Sequence, residues 1–97
     1  MVKIVKNASG GYVFSVTTPS GSSLLKGIPC TSKAQAQALM EEVLMNPVFE
    51  RHTNHQGKFV IALKTAAGEK VGWSNPYSSE AGMENGLKNI RKSLVSN

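Results

Sequence analysis

The stretch "PYSSEAGMENGLKNIRKS", Pro76 to Ser93, restates the layout of "PCTSKAQAQALMEEVLMN", Pro29 to Asn46, 47 positions earlier. Each has a proline, then hydroxyl residues, then an apolar-periodic run. Ser32 and Ser79 fall where a helix N-cap accepts a free backbone N–H, and Gln35 completes a capping box in the first copy. Ala36, Leu39, Met40, Val43 and Leu44 share one helix face, as do Met83, Leu87, Ile90 and Leu94. Glu80 near the start of the second helix and Lys88, Arg91 and Lys92 near its end suit the helix dipole, so these lysines require no ligand.

Working outward, the same offset aligns the whole chain without a gap. Asn7 meets Asn54, Gly10 meets Gly57, Thr18 meets Thr65, Gly21 meets Gly68 and Ala34 meets Ala81. An ungapped match of glycines, prolines and apolar positions is the signature of an internal repeat. "GYVFSVTT" and "GKFVIALKT" alternate as strands, with Tyr12, Phe14 and Val16 on one side and Phe59, Ile61 and Leu63 on the corresponding one. Gly21 and Gly68 are placed to set hairpin turns at positive φ. "SLLKGI" and "KVGWSN" read as return strands ended by Pro29 and Pro76, and "VKIVKN" and "PVFERHTN" as a leading strand in each unit. The reading is α+β: two tandem β-β-β-α(-β) repeats, 1–48 and 49–97, sharing one antiparallel sheet with two helices packed on one face, in a single domain 1–97. A unit of fewer than fifty residues rarely buries enough surface to fold alone. The joint is expected at "NPVFERHTN", with Phe49 buried between the halves.

The second copy, "GKFVIALKTAAGEKVGWSNPYSSEAGMENGLKNIRK", resembles the YegP-like family of small bacterial proteins. Phe59, Leu63, Lys64, Gly68, Val71, Ser74, Tyr77, Ser79, Gly86, Leu87 and Ile90 match its repeat. Tyr12, Phe14, Val16, Gly21, Leu24, Ser32, Met40, Val43 and Asn46 fit in the first copy, where Cys30 replaces the tyrosine and Leu39 the helix glycine. The resemblance implies units that share one sheet, with end strands exchanged between them. It implies no biochemical role.

The chain has 97 residues, 40% of them hydrophobic and 18% charged, as in ordinary soluble domains. No apolar run approaches the length of a membrane span or a signal-peptide core. One cysteine, Cys30, leaves no intrachain disulfide and points to a reducing, cytoplasmic setting. The net charge of +5 is spread over the chain, serving solubility while permitting weak attraction to polyanions.

Chemistry is sparsely represented. There is no aspartate, which excludes a Ser-His-Asp triad, and Glu41-Glu42 are adjacent helix positions that point apart and read as solvated surface. Cys30, His52 and His55 supply three potential metal ligands where a closed zinc site takes four, and their spacing is not that of a zinc motif. "AAGEK" lacks the glycine and lysine–hydroxyl pair of a phosphate loop. "GKFVIALK" has the look of an RNA-recognition strand, but Phe59 shares parity with the buried Ile61 and Leu63. Gly82 and Gly86 suit close helix–sheet packing. No cofactor or metal is expected.

What remains is the sheet face away from the helices. Val13, Ser15, Val60, Ala62 and Lys64, with Leu25 and Gly72 as further candidates, make it small and mildly polar where an uncovered face usually carries more charge. These residues are the expected partner-binding set. Trp73 shares parity with Val71 and is expected in the core. The functional expectation is a non-enzymatic interaction module that docks a protein partner or a second copy on this face. The alternatives are weak, charge-driven nucleic-acid binding and an enzyme with a cryptic site around Cys30 or His52.

Overall fold

Turn chemistry sets the strand boundaries. Asn7 Oδ1 accepts hydrogen bonds from the backbone of Ser9 (3.1 Å) and Gly11 (2.8 Å), and Asn54 Oδ1 does the same for Gln56 and Lys58 (both 3.0 Å). Gly21 and Gly68 both have φ +93°, a conformation that side-chain-bearing residues rarely adopt, and their N–H groups close the turns onto Thr18 O and Thr65 O at 2.9 Å.

Between these turns the computed structural model, which describes residues 2–95, holds six strands and two helices: β1 (Val2–Lys6), β2 (Tyr12–Thr17), β3 (Ser23–Gly27), α1 (Lys33–Met45), β4 (Val48–Thr53), β5 (Phe59–Lys64), β6 (Lys70–Ser74) and α2 (Glu80–Val95). Met1, Ser96 and Asn97, the ends of the expected domain 1–97, lie outside the described residues. The strands form one antiparallel sheet in the order β1-β2-β3-β6-β5-β4. Both helices pack on one face of it. Val43 of α1 and Met83, Leu87, Ile90 and Leu94 of α2 enclose Phe14, Val16, Leu25, Ile61, Leu63 and Val71. Each side chain fully enclosed in this way contributes about 1.5–3 kcal/mol. Ser32 Oγ accepts from Gln35 N (3.1 Å) and Ser79 Oγ from Gly82 N (3.0 Å), capping both helices as expected. Gln35 does not close the expected box: its side chain accepts from the backbone and hydroxyl of Thr31, one residue before the cap. Among the described residues no helix is long and apolar enough to cross a membrane.

The joint is not where the sequence places it. The halves meet through β3 and β6, with Leu25 paired to Ser74, Lys26 to Trp73 and Gly27 to Gly72. β4 is an outer strand, and Phe49 is half-buried opposite Leu63, not buried between the halves. The physical reason lies in side-chain character. β1 and β4 carry Lys3, Lys6, Glu50, Arg51 and His52, which suit an exposed edge. Gly27 and Gly72 on the inner strands admit close neighbours: a Cβ on Gly27 would lie 2.3 Å from the Phe14 ring, and one on Gly72 would lie 2.8 Å from Leu25. Of the end strands that the family resemblance has exchanged between units, β4, the strand after α1, pairs with β5 of the second half, and β1 pairs with β2.

A second correction concerns parity. The pairing of β2 with β3 slips after Val16, leaving Leu24 unpaired, and that of β5 with β6 slips after Leu63, leaving Val71 unpaired. An extra residue of this kind breaks the simple alternation of a strand. Leu25 and Gly72, expected on the helix-free face, therefore lie on the core side, and Leu25 is 1% exposed. Trp73, expected in the core, lies on the helix-free face beside Ala62 and Lys26.

Candidate binding face

The strand register aligns one row of residues across all six strands of the helix-free face: Lys3, Ser15, Lys26, Trp73, Ala62 and Glu50. Three members of the expected set, Ser15 (5% exposed), Val60 (8%) and Ala62 (0%), form its floor. Ala62 lies between Glu50 and Trp73, and Val60 beside His52, so longer neighbours screen them from solvent. Val13 and Lys64 are half-buried. The expected residues thus lie on the face chosen for them, but most lie beneath the side chains a partner would meet first.

Those side chains are Trp73, His52, Lys3, Lys26 and Lys70. Trp73, at the middle of the row, is 40% exposed although it is the largest apolar side chain in the protein. The His52 ring lies 5.6 Å from it, tilted by 60°, and Lys70 Nζ lies 5.1 Å from its ring centroid, within cation–π range. Glu50 accepts from Lys64 Nζ at 2.6 Å and lies 2.5 Å from His52 Nε2. The Lys64 ammonium holds the Glu50 carboxyl below the ordinary glutamate range; desolvation opposes this and His52 adds to it. Glu50 is the one carboxylate among the strand residues of this face, and it is occupied. Among the described residues no carboxylate pairs with Lys3, Lys26 or Lys70.

Sequence reasoning passed over Trp73 because it trusted parity with Val71. A better signal was available in the repeat itself. Trp73 stands 47 positions after Lys26, and a lysine in that strand has to reach solvent, so its counterpart shares the exposed position.

Other candidate groups are kept apart. Cys30 is buried and bridges to Tyr12 on β2, whereas His52 is on β4 at the far edge of the sheet and His55 is in the turn after it. Among the described residues no group of three or more His, Cys, Asp or Glu could hold a metal ion. An open pocket of about 330 Å³ lies beside Cys30, between Asn7, Gly11, Pro29 and Thr31, and the Asn7 carboxamide oxygen in it is already engaged in the turn. Gly86 lies under Tyr77, whose phenol group would crowd any Cβ placed there. Burial of the Tyr77 phenol raises its pKa above the usual tyrosine range. On the helix side, Arg51 and Glu84 form a two-pronged ion pair between β4 and α2, which holds the Glu84 carboxyl below its ordinary range. Arg91 lies over the Phe49 ring at 5.3 Å.

With this geometry in view, residues 54–95 match the model of a domain of unknown function (DUF1508). The solution structure of the protein of unknown function yegP from E. coli is similar over 99% of this chain and 86% of its own, at 24% identity and a TM-score of 0.87. That of a UPF0339 protein from Shewanella oneidensis is similar over 96% of this chain and 82% of its own, at 25% identity and a TM-score of 0.85. No curated protein matches the chain.

Proposed function

We propose that this chain, YegP-like in fold and in the sequence of its second half, is a non-enzymatic binding module that docks an anionic partner on its helix-free sheet face. The observation that carries this reading is Trp73, exposed at the centre of the face and held in place by His52 and Lys70. A large aromatic side chain left in solvent, with its polar surroundings ordered around it, is the usual form of a contact anchor. The partner's charge follows from Lys3, Lys26 and Lys70, which no carboxylate among the described residues balances. Glu50, the carboxylate of this face, is engaged with Lys64 and His52, which favours a surface that binds over one that transfers protons.

Two further parts belong to this reading. β1–α1 and β4–α2 are copies of one unit, supported by turns, caps and bridges that recur at the same offset: Tyr12 bridges to Cys30 as Phe59 does to Tyr77. A single cysteine kept as a thiol suits the cytoplasm.

The test is a titration of isotope-labelled protein with two polyanions, a poly-glutamate peptide and a thymidine oligonucleotide. Amide shifts at Lys26, Ala62 and Trp73 with at least one of them uphold the reading. Shifts confined to α1 and α2, or none with either, overturn it.

A further inference from the structure

We infer that the ligand of this face is single-stranded nucleic acid, bound with little regard to base sequence; the inference rests on the binding-face reading above and adds the ligand class. Three observations lead to it. The first is the pairing of one exposed indole with cations on two sides. Lys26 is its neighbour on β3 and Lys3 continues the row on β1, while Lys70 lies further along β6 and over the ring. At ordinary strand spacing Lys3 is roughly 14 Å from Trp73, and Lys70 roughly 10 Å along its own strand at the backbone. The cations thus span a strip that a few nucleotides cover, with a stacking surface in its middle. Phosphates held by lysines and a base held on an aromatic face are the two terms of single-strand binding.

The second observation separates this ligand from an acidic peptide. The face of an aromatic ring carries the negative end of its quadrupole, which repels a carboxylate and accepts a stacked base. An acidic peptide would use the lysines and leave Trp73 idle. A duplex would also leave it idle, since paired bases hide their faces inside the stack. The third observation is what the face lacks. Among its described strand residues there is no Arg, Asn or Gln, whose planar groups pair two-pronged with base edges, its free lysines are the cations that the phosphates take up, and Glu50 is taken by Lys64 and His52. The surface can hold a base but has little with which to identify it.

Trp73 is the chain's one tryptophan, so its emission reports on this site and no other. The full-length protein is titrated at low salt with a twelve-residue thymidine oligonucleotide, an adenosine one, a duplex of mixed sequence and poly-glutamate. Both single strands should quench Trp73 with affinities within a few-fold of each other, and the duplex should bind more weakly. In anisotropy measurements with a labelled strand, Trp73→Ala should weaken binding by about 5- to 150-fold, the range for losing one stacked base, and Trp73→Phe should restore part of it. Lys26→Gln should reduce the slope of log affinity against log salt by about 0.7 while leaving the quenching in place. Circular dichroism of each variant establishes that the fold is intact, as expected for exposed positions. Equal binding of single strand and duplex without quenching, or Trp73→Ala binding as wild type, overturns the inference. Binding of poly-glutamate alone, with shifts on this face, overturns it too but leaves the binding-face reading standing. If no polyanion binds, both fall together.

Discussion

The two halves of the sheet keep the same frame and fill it differently. At positions the backbone dictates they agree: Asn7 and Asn54 close the same turn, Gly21 and Gly68 share φ +93°, and Leu24 and Val71 are both the unpaired residue of a slipped register. At the helix entrance they differ in a compensated way. The second half places the large Tyr77 over Gly86; the first has Cys30 and Leu39 at the corresponding positions, small where the other is large and large where it is small. Between outer strand and helix, the first half has Val2, Ile4 and Leu44 where the second has Phe49, Arg51 and Arg91, so an apolar contact replaces a cationic one. On the helix-free face no compensation is visible. Lys3, Val5 and Lys26 stand where the second half has Glu50, His52 and Trp73. Positions bound by backbone geometry stay alike, positions bound by volume change in pairs, and the open face differs between the halves without such compensation.

The severest way to break this comparison is to separate the halves. A fragment of residues 1–48 exposes the inner edge of β3 and is too short to bury much surface, so it should be largely unfolded by circular dichroism or fold only as a dimer. A compact monomer with a cooperative melt would mean that the halves are independent. Next in size is the exchange at the helix entrance. Gly86→Leu should cost about 1–3 kcal/mol in urea unfolding because a side chain there must displace the Tyr77 ring. Adding Tyr77→Cys should recover much of that loss; a double variant no better than the single one would show that the two positions do not compensate.

A smaller effect tests the equality of the turns. Gly68→Val and Gly21→Val should each destabilise by about 1–2 kcal/mol, since both demand the left-handed conformation. A clear difference between them would mean that the frame is less alike than the angles indicate. The smallest effect concerns the ionic contacts of the second half. Glu50 and Glu84 have carboxyls held below the ordinary range, by Lys64 and by Arg51. In acid the unfolded chain takes up their protons first, so their contribution is present above the ordinary glutamate range and is lost as pH falls through the lower folded values. Arg51–Glu84 is solvent-exposed and Lys64–Glu50 partly so, and the effect is modest. Giving the second half the first half's residues, Arg51→Ile with Glu84→Gln, should flatten the acid limb of stability against pH. An unchanged limb would mean the pair is idle.

Much of this fold is legible in residues with one physical use. Gly21, Gly68 and the capping serines Ser32 and Ser79 are read correctly because a turn or cap needs that residue at that place. The apolar faces of α1 and α2 are legible for the same reason, as Val43 and Ile90 have nowhere else to go. What misleads is the strand periodicity across Leu24 and Val71. A slipped register leaves no mark in composition, and it moves Leu25, Gly72 and Trp73 to the opposite faces from those expected. The joint is misread because contiguity in sequence favours the linker after α1, whereas edge strands select themselves by charge. The helix-free face and its small floor residues are therefore legible, while Trp73 at its centre is missed.

The pairing of Lys26 with Trp73 has one more consequence. The two residues occupy the same position of their respective halves, so the approximate two-fold axis of the sheet passes between them. In a dimer of separate identical subunits, a position on such an axis has to face itself. Two tryptophans there would stack against each other and offer nothing to a visitor; two lysines would repel. Only a covalently joined pair can place a ring on one side of the axis and a cation on the other. Linking the halves thus does more than stabilise a small fold: it releases the axis from symmetry, and the place where self-pairing was unavoidable can offer two different groups side by side.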